Sequence, residues 1–183
     1  INGMSFEDNN GSSWHVTTRT NARLRDTSGW YHFVWVYDSA QGTDSNRAKM
    51  YINGVLITDL QSTTYPSQNA DHSWFSAGHH FIGTNGTSSD GDNPYQGVDG
   101  YIAEVVALDG SALNPVDNLG EFKNSIWIPK DPSGLTFGSQ GFYLKFADTS
   151  NFGLDSSGNS NNFTATGLGT DHQVLDSPTI GTG

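Results

Sequence analysis

The dipeptide Asn53-Gly54 constrains the fold of this chain more than any other local feature. Asn-Gly is the strongest short signal for a two-residue type I′ turn, because both turn residues must take positive φ. The flanking segments, residues 47–52 and 55–60, are each short and largely apolar. The sequence therefore predicts that these two segments pair as an antiparallel hairpin.

The preceding segment, residues 30–37, is apolar on both alternating faces except at His32. One face carries Trp30, His32, Val34 and Val36, and the other carries Tyr31, Phe33, Trp35 and Tyr37. A strand that is apolar on both sides is typical of the interior of a layered structure. We therefore predict a third strand here, sandwiched in the middle of the fold.

Elsewhere the chain alternates short apolar segments with turn-forming residues. Further strands are predicted at 13–19, 20–25, 79–83, 100–109, 142–147 and 163–168. A single short helix is predicted over 116–122, because Asn114 can cap it and Pro115 suits its first position. This pattern predicts an all-β protein, an antiparallel β-sandwich with at most one short helix.

Charge and composition exclude several classes of function. The 183 residues carry a net charge of −11, and the eight Lys and Arg residues form no basic run. Nucleic acid and anionic membrane are therefore poor partners. The chain has no cysteine, which excludes disulfides and thiolate metal sites. No apolar run approaches the roughly 18 residues that membrane insertion requires.

Three segments resemble a known family. They are Trp30-Tyr31-His32, Tyr51-Ile52-Asn53-Gly54 and Gly100-Tyr101-Ile102-Ala103-Glu104-Val105. Together they resemble core strands of the laminin-G-like, concanavalin-A-type jelly roll. The resemblance implies a jelly-roll sandwich and a lectin-like function.

Four later segments resemble, in the same order, bacteriophage tail-fibre or spike proteins. They are residues 127–130, 141–146, 155–164 and 176–178, and the similarity covers residues 26–180. It implies a virion appendage of the tail or capsid, or otherwise a cell-surface protein. It also implies assembly with other virion chains as a homo-oligomer, for instance a trimer, and host-surface glycan as a partner.

The predicted organisation is a lectin-like core over 1–122, followed by a connector, returning strands and an extended tail over 123–183. The family's Trp-bearing opening strand does not precede Ile1, so the module is expected to start part-way through a sandwich. The late Asp-Ser-Ser-Gly-Asn run at 155–159 either completes this sandwich or begins a following module.

No catalytic arrangement is evident. A glycan hydrolase needs two carboxylates on one face, but the three glutamates, Glu7, Glu104 and Glu121, are far apart in sequence. Glu104 is interpreted as structural, and no Gly-x-Ser-x-Gly elbow occurs. We therefore predict a protein that is not an enzyme, with a glycan hydrolase as the less favoured alternative.

Histidines do not predict a zinc site. His79 and His80 are adjacent on a predicted strand, so their side chains would point to opposite faces. His32 is interpreted as a hydrogen-bonded core residue.

Calcium is the one cofactor for which the sequence offers ligands. Asp148, Asp155, Ser157 and Asn159 supply the oxygen ligands that calcium takes from flexible loops. The alternative is that these residues form tight turns, which require the same residue types.

Glycan binding needs an aromatic platform and fixed hydrogen-bonding groups. One predicted loop supplies Trp74 with Asn69, Asp71 and His72, and a second supplies Asp90, Asp92, Asn93 and Tyr95. The alternative is that both aromatic residues cap the edge of the core. A structural module without any ligand is the competing function.

Overall fold

The fold is described from a computed structural model, over residues 4–9, 14–75, 80–83 and 97–174. The chain divides into two compact units. The first comprises Ile1–Ser73, Gly110–Pro132 and Ser177–Gly183, and the second comprises Trp74–Asp109 and Ser133–Asp176. The predicted division into 1–122 and 123–183 stays a prediction.

Within the described residues the chain is built from antiparallel strands. They are β1 Ser5–Asn9, β2 Trp14–Thr20, β3 Phe33–Tyr37, β4 Ala48–Ile52, β5 Val55–Leu56, β6 Leu60–Thr64, β7 Val105–Ala107, β8 Gly120–Lys123, β9 Ile126–Pro129 and β10 Phe142–Leu144. One short α-helix, α1, spans Pro115–Asn118. No helix in this described part is long and apolar enough to cross a membrane. The prediction of an all-β sandwich is confirmed.

The first unit contains α1, the two-stranded sheet β8–β9 and two three-stranded sheets, in the orders β1-β2-β6 and β3-β4-β5. Their inner faces share one buried apolar cluster of Phe6, Val16, Ala48 and Met50. Because alternate residues of a strand face opposite sides, Ala48 and Met50 of β4 both belong to this cluster, while Lys49 between them does not. Burial of this apolar surface holds the two sheets face to face.

The Asn53-Gly54 turn is confirmed. Both residues have positive φ, 49° and 75°, and they join β4 to β5 as a tight hairpin. The second predicted strand of the hairpin is shorter than expected, because the chain leaves β4 after Leu56 and pairs with β2 from Leu60 onward. Residues 61–64, which follow the predicted hairpin and lie outside every predicted strand, therefore belong to a strand of the other sheet.

The prediction for residues 30–37 is only partly correct. They do form a strand, but it begins at Phe33 and lies at the edge of its sheet among the described residues. None of its five residues is fully buried, and Trp35 is 39% exposed. The side chains on both faces are apolar although β3 is an edge strand among the described residues. Neighbouring elements cover these side chains only in part.

A second hairpin, β8–β9, was missed at the sequence level. Asn124 and Ser125 both take positive φ and turn the chain between its two strands. The predicted helix over 116–122 is correct at its start, where the Asn114 side chain accepts a hydrogen bond from Val116 N. It ends at Asn118, because residues 120–123 form β8 instead.

The second unit contains the antiparallel pair β7–β10. The predicted strand over 100–109 is reduced to three residues, since Gly100 and Glu104 interrupt it with φ of 159° and 52°. The strands predicted at 20–25 and 163–168 are wrong, and so is the described part, 80–83, of the one at 79–83. His79 itself lies outside the described residues.

Candidate functional site

Two polar loops of the first unit are bound together by one side chain. The guanidinium of Arg47 donates from Nε to the Gln41 carbonyl at 2.8 Å and from Nη2 to the Gly42 carbonyl at 2.9 Å. Its third hydrogen bond, from Nη1, reaches the Pro66 carbonyl at 3.0 Å. The planar fork of arginine suits such divergent acceptors. Arg47 therefore ties the loop before β4 to the loop after β6.

The two loops also contact each other directly. The backbone N–H of Asn69 donates to the Ser39 carbonyl at 2.9 Å, and Gln68 Nε2 reaches the Ala40 carbonyl at 3.3 Å. Asn69 has a φ of 59°, a conformation that asparagine tolerates better than most residues. We call residues 38–46 and 67–72 together the loop surface.

Tyr37 supports the loop surface from the last position of β3. Its hydroxyl donates to the Ala70 carbonyl at 3.1 Å, and its ring meets that of His72 edge-on at 5.0 Å. Burial, with a smaller effect from the charge of Asp8, raises the pKa of Tyr37 above its usual value. The hydroxyl therefore keeps its proton and remains a donor.

The end of the second loop is anchored on β1. Asp8 is only 2% exposed, and its Oδ1 accepts hydrogen bonds from the backbone N–H of Ser73 at 3.3 Å and from the Ser73 hydroxyl. Its Oδ2 lies 3.6 Å from Nδ1 of His15. Hydrogen bonds offset part of the cost of burying a carboxylate, so the two that Ser73 donates to Oδ1 hold Ser73 in place.

A cavity of about 300 Å³ lies in the first unit beside the loop surface. Apolar side chains of the two sheets and polar residues of the adjoining loops line it together. The lining residues are Thr18, Ser45, Asn46, Ala48, Lys49, Met50, Leu56, Ile57, Thr58, Leu60 and Tyr65.

The predicted glycan-binding residues are distributed between the two units. Asn69 and Asp71 are exposed on the loop surface, and His72 is half-buried there. Trp74 is 39% exposed and belongs to the second unit. Asp90, Asp92, Asn93 and Tyr95 lie outside the described residues. The glycan-binding assignment of these residues stays a prediction.

Asp155, predicted as a calcium ligand, is the centre of a hydrogen-bonded turn in the second unit. Its Oδ1 accepts from the backbone N–H groups of Tyr143 at 2.9 Å and Ser157 at 2.8 Å. Its Oδ2 accepts from the Ser157 hydroxyl at 2.8 Å and from Asn161 N at 2.9 Å. Burial opposes ionisation, but these donors outweigh it and hold the pKa of Asp155 below its usual value.

The other predicted calcium ligands also have partners in turns. Asn159 Nδ2 donates to the Gly141 carbonyl at 2.9 Å, and Asp148 accepts from the backbone N–H of Ser150 at 2.9 Å. Among the described residues, no three acidic or histidine side chains are grouped to hold one metal ion. The geometry is that of Asx turns, and calcium binding stays a prediction.

His32 is hydrogen-bonded, as the sequence indicated. Its Nδ1 accepts from the indole N–H of Trp127 at 2.9 Å, although the residue is half-buried and precedes β3. Glu104 accepts from the hydroxyl of Tyr143 at 2.9 Å. Both residues therefore take part in contacts that stabilise the fold.

Sequence reasoning did not identify Arg47, Tyr37 or the Asp8–Ser73 contact. The available signal was weak: Arg47 is one of eight basic residues and stands between a polar loop and an apolar strand. Its three carbonyl partners come from two separate segments, and no local pattern specifies them.

A family model described as the concanavalin A-like lectin/glucanases superfamily matches residues 2–116, more than half of the chain. No curated protein matches the chain, and neither does any solved structure. The matched residues include both three-stranded sheets of the first unit and the whole loop surface, but not the β8–β9 hairpin.

Proposed function

Because the chain belongs to the concanavalin A-like lectin/glucanase superfamily, we propose that it is a non-enzymatic module that binds carbohydrate through its loop surface. The observation that carries this proposal is the bracing of the two loops by Arg47 and Tyr37. Ordering a flexible loop during binding costs free energy, and a loop that is already ordered avoids that cost. Loops held in this way are expected where a protein binds a ligand, more than where a loop only connects two strands.

The exposed groups suit a ligand with many hydroxyls. Asn69 presents an amide with two donors and an acceptor, and Asp71 presents a carboxylate. Both emerge from a segment whose backbone is fixed at Ser39, Ala40 and Tyr37. Fixed polar groups provide the orientation-dependent hydrogen bonds that distinguish one sugar from another.

The family name covers both lectins and glucanases, so the absence of catalysis is part of the proposal. Its support is that each glutamate has a structural partner. Glu7 pairs with Arg19 at 2.8 Å, Glu121 with Lys123 at 2.9 Å, and Glu104 accepts from Tyr143. A glycanase of the two-carboxylate type needs acids held ready for the substrate.

The proposal places the module in a virion appendage, as part of a homo-oligomer that contacts host-surface glycan. The support for this placement is the order of four sequence motifs between residues 127 and 178. A structural module without ligand is the second candidate. The observation that favours it is that acidic side chains form hydrogen bonds within the loops. Asp38, for example, accepts a hydrogen bond from Gln41 Nε2 at 2.6 Å.

The test is binding to a glycan array, followed by calorimetry on the best ligand, with Asn69→Gly as the informative variant. Glycine accepts the positive φ of Asn69, so the turn is retained while the amide is lost. Asn124→Gly is the matched control, since Asn124 is also exposed, with a φ of 50°, in the β8–β9 turn.

We expect Asn69→Gly to weaken binding about tenfold and Asn124→Gly to leave it unchanged. An array on which the wild-type protein binds no glycan would favour the structural module. Equal binding by wild type and Asn69→Gly would show that the glycan does not bind at the loop surface.

A further inference from the structure

The open edge of β3 differs from the sheet edges formed by β1, β5 and β6. β3 contains no charged residue and no proline, whereas β1 contains two carboxylates, β5 has only two residues and β6 is mostly polar. Proteins protect exposed edges with charges, prolines or short strands, because the free N–H and C=O groups of an edge pair readily with another strand. No described strand pairs with β3 on the side away from β4. An unprotected edge of this kind is expected to have a partner strand.

The backbone of β3 directs alternate residues toward this edge. Asn53 N donates to the His32 carbonyl at 2.9 Å, so His32 forms its backbone hydrogen bond on the β4 side. In an antiparallel pair, residues that bond to the partner strand alternate with residues whose N–H and C=O point away from it. Phe33, Trp35 and Tyr37 therefore direct their backbone groups to the open edge.

Aromatic side chains extend the buried face of the sheet to the open edge. Trp35 lies directly opposite Met50 of β4, so their side chains share one face. Met50 is 2% exposed, whereas Trp35 is 39% exposed. The ring of Phe33 lies on the same face, with its centroid 6.1 Å from that of Trp35. The edge therefore carries apolar surface that the described residues cover only in part.

We propose that this edge pairs with β3 of a second copy of the chain, antiparallel and with the two-fold axis at Trp35. Trp35 then lies opposite Trp35 of the second copy, and Phe33 lies opposite Tyr37. Each of these pairs exchanges both backbone hydrogen bonds, because all three residues direct their backbone groups outward. On the other face, Val34 lies opposite Val36. The strand is self-complementary in this register, as a two-fold interface requires.

The distribution of charge favours a second copy as the partner. Two chains that each carry a net charge of −11 repel one another. β3 itself carries no charge, so pairing through it places no like charges directly opposite each other. Salt screens the repulsion between the rest of the two molecules. Association through β3 therefore tightens as the salt concentration increases.

The contact is small, because β3 supplies only five residues from each copy. Stable interfaces use about 20–30 residues a side, so this dimer forms reversibly and at high concentration. Because the strands run antiparallel, the loop surfaces that follow Tyr37 lie at opposite ends of the joined pair. The inference specifies the homo-oligomer of the proposed function, and it does not depend on carbohydrate binding.

The first experiment is sedimentation equilibrium of the intact chain over concentrations up to millimolar and at several salt concentrations. Val34→Lys introduces a charge at the open edge, which opposes strand pairing. Thr63→Lys is the matched control, because Thr63 is exposed on the edge strand β6. We expect wild type and Thr63→Lys to dimerise, more tightly at high salt, and Val34→Lys to associate at least about tenfold more weakly. Thermal unfolding checks that each variant folds.

The second experiment uses the absence of cysteine from the chain, so that one introduced cysteine can cross-link only to its own copy. In the proposed register the two Cα atoms at position 35 lie about 5.5 Å apart, which is within the range of a disulfide. We expect oxidation to convert Trp35→Cys to a covalent dimer. Ser62→Cys, exposed on β6, is the control and should stay monomeric. This cross-link decides the question if Val34→Lys does not fold.

Three results would overturn the inference. They are a wild-type chain that stays monomeric at millimolar concentration, dimerisation that is unchanged by Val34→Lys, and equal cross-linking of Trp35→Cys and Ser62→Cys. The outcome is separate from that of the glycan array. A monomer that binds glycan through Asn69 would leave the loop surface standing, and a β3 dimer that binds no glycan would leave only the present inference.

Discussion

The indole N–H of Trp127 donates to Nδ1 of His32 at 2.9 Å, across 95 residues of sequence. The two rings lie nearly parallel, with centroids 5.9 Å apart. This contact joins the β8–β9 hairpin to the residue that leads into β3. It also fixes Nδ1 of His32 as an acceptor, so the other ring nitrogen carries the proton of the neutral imidazole.

We predict that Trp127→Phe lowers the free energy of unfolding by about 1–2 kcal/mol, because it keeps an aromatic ring but removes the donor to His32. His32→Ala and the double variant complete a mutant cycle, measured by urea unfolding. A coupling of about 1 kcal/mol is expected for a direct bond. Strict additivity of the two single changes would show that the bond contributes nothing to stability.

Trp127 also explains why glycine occupies position 120. A Cβ built on Gly120 would overlap the six-membered ring of Trp127. We predict that Gly120→Ala destabilises the protein by about 2–3 kcal/mol through overpacking, as measured by thermal unfolding. Gly134→Ala is the matched control, because a Cβ there has no neighbour within 4 Å. Similar losses in both variants would argue against the Trp127 contact as the cause.

Asp155 is expected to make stability depend on acid pH. Its pKa is below the unfolded value, so its stabilising effect is complete above about pH 4 and is lost as pH falls through the folded pKa. Asp155→Asn should cost about 3 kcal/mol at neutral pH and flatten the decline of stability below pH 4. Unfolding curves at several pH values measure both effects.

Asp148→Asn is the control for Asp155, since Asp148 is exposed and accepts only within its own turn. Hydrogen bonds from Ser150 also lower the pKa of Asp148, but solvent screens this exposed carboxylate, so Asp148→Asn should change the acid decline much less than Asp155→Asn does. If the stability of Asp155→Asn fell at acid pH as much as that of the wild type, a different titrating group would be responsible for the fall.

Trp74 and Trp35 offer a matched pair for the sequence-based glycan site. Both indoles are 39% exposed, but only Trp74 is among the predicted binding residues. We predict that Trp74→Ala weakens glycan binding about tenfold or more while Trp35→Ala does not, because aromatic platforms contribute through stacking. Calorimetry measures binding, and thermal unfolding confirms that both variants fold. Unchanged affinity in a folded Trp74→Ala variant would show that Trp74 is not part of the binding site.

The sequence was most informative where structure is local. The Asn53-Gly54 turn and the Asn114 cap were both predicted correctly, because each depends on backbone preferences of adjacent residues. Burial of β3 was predicted wrongly, since the apolar pattern does not reveal how many neighbours a strand has. The pairing of residues 60–64 with β2 was missed for the same reason.

In the candidate site, too, local features were predicted from the sequence and long-range contacts were not. Asn69 and Asp71 were identified from residue type alone, and they are exposed on one loop. The bracing by Arg47 was not identified, because its three acceptors are backbone carbonyls five to 19 residues away, which carry no side-chain signal. The turn chemistry of residues 155–159 was recognised from residue type, but the donors from Tyr143 and Asn161 to Asp155 lie outside that run and no local pattern specifies them.

If carbohydrate binds at the loop surface, its affinity depends on the bracing by Arg47, and Arg47→Lys removes that bracing. Lysine keeps the charge but lacks the planar fork that reaches Gln41, Gly42 and Pro66 together. Arg19→Lys is the control, because Arg19 pairs with Glu7 on the exposed side of β1 and β2. Calorimetric titration with the best glycan from the array is the measurement. We predict an affinity about tenfold lower for Arg47→Lys and unchanged for Arg19→Lys; wild-type affinity in a folded Arg47→Lys variant would contradict the account.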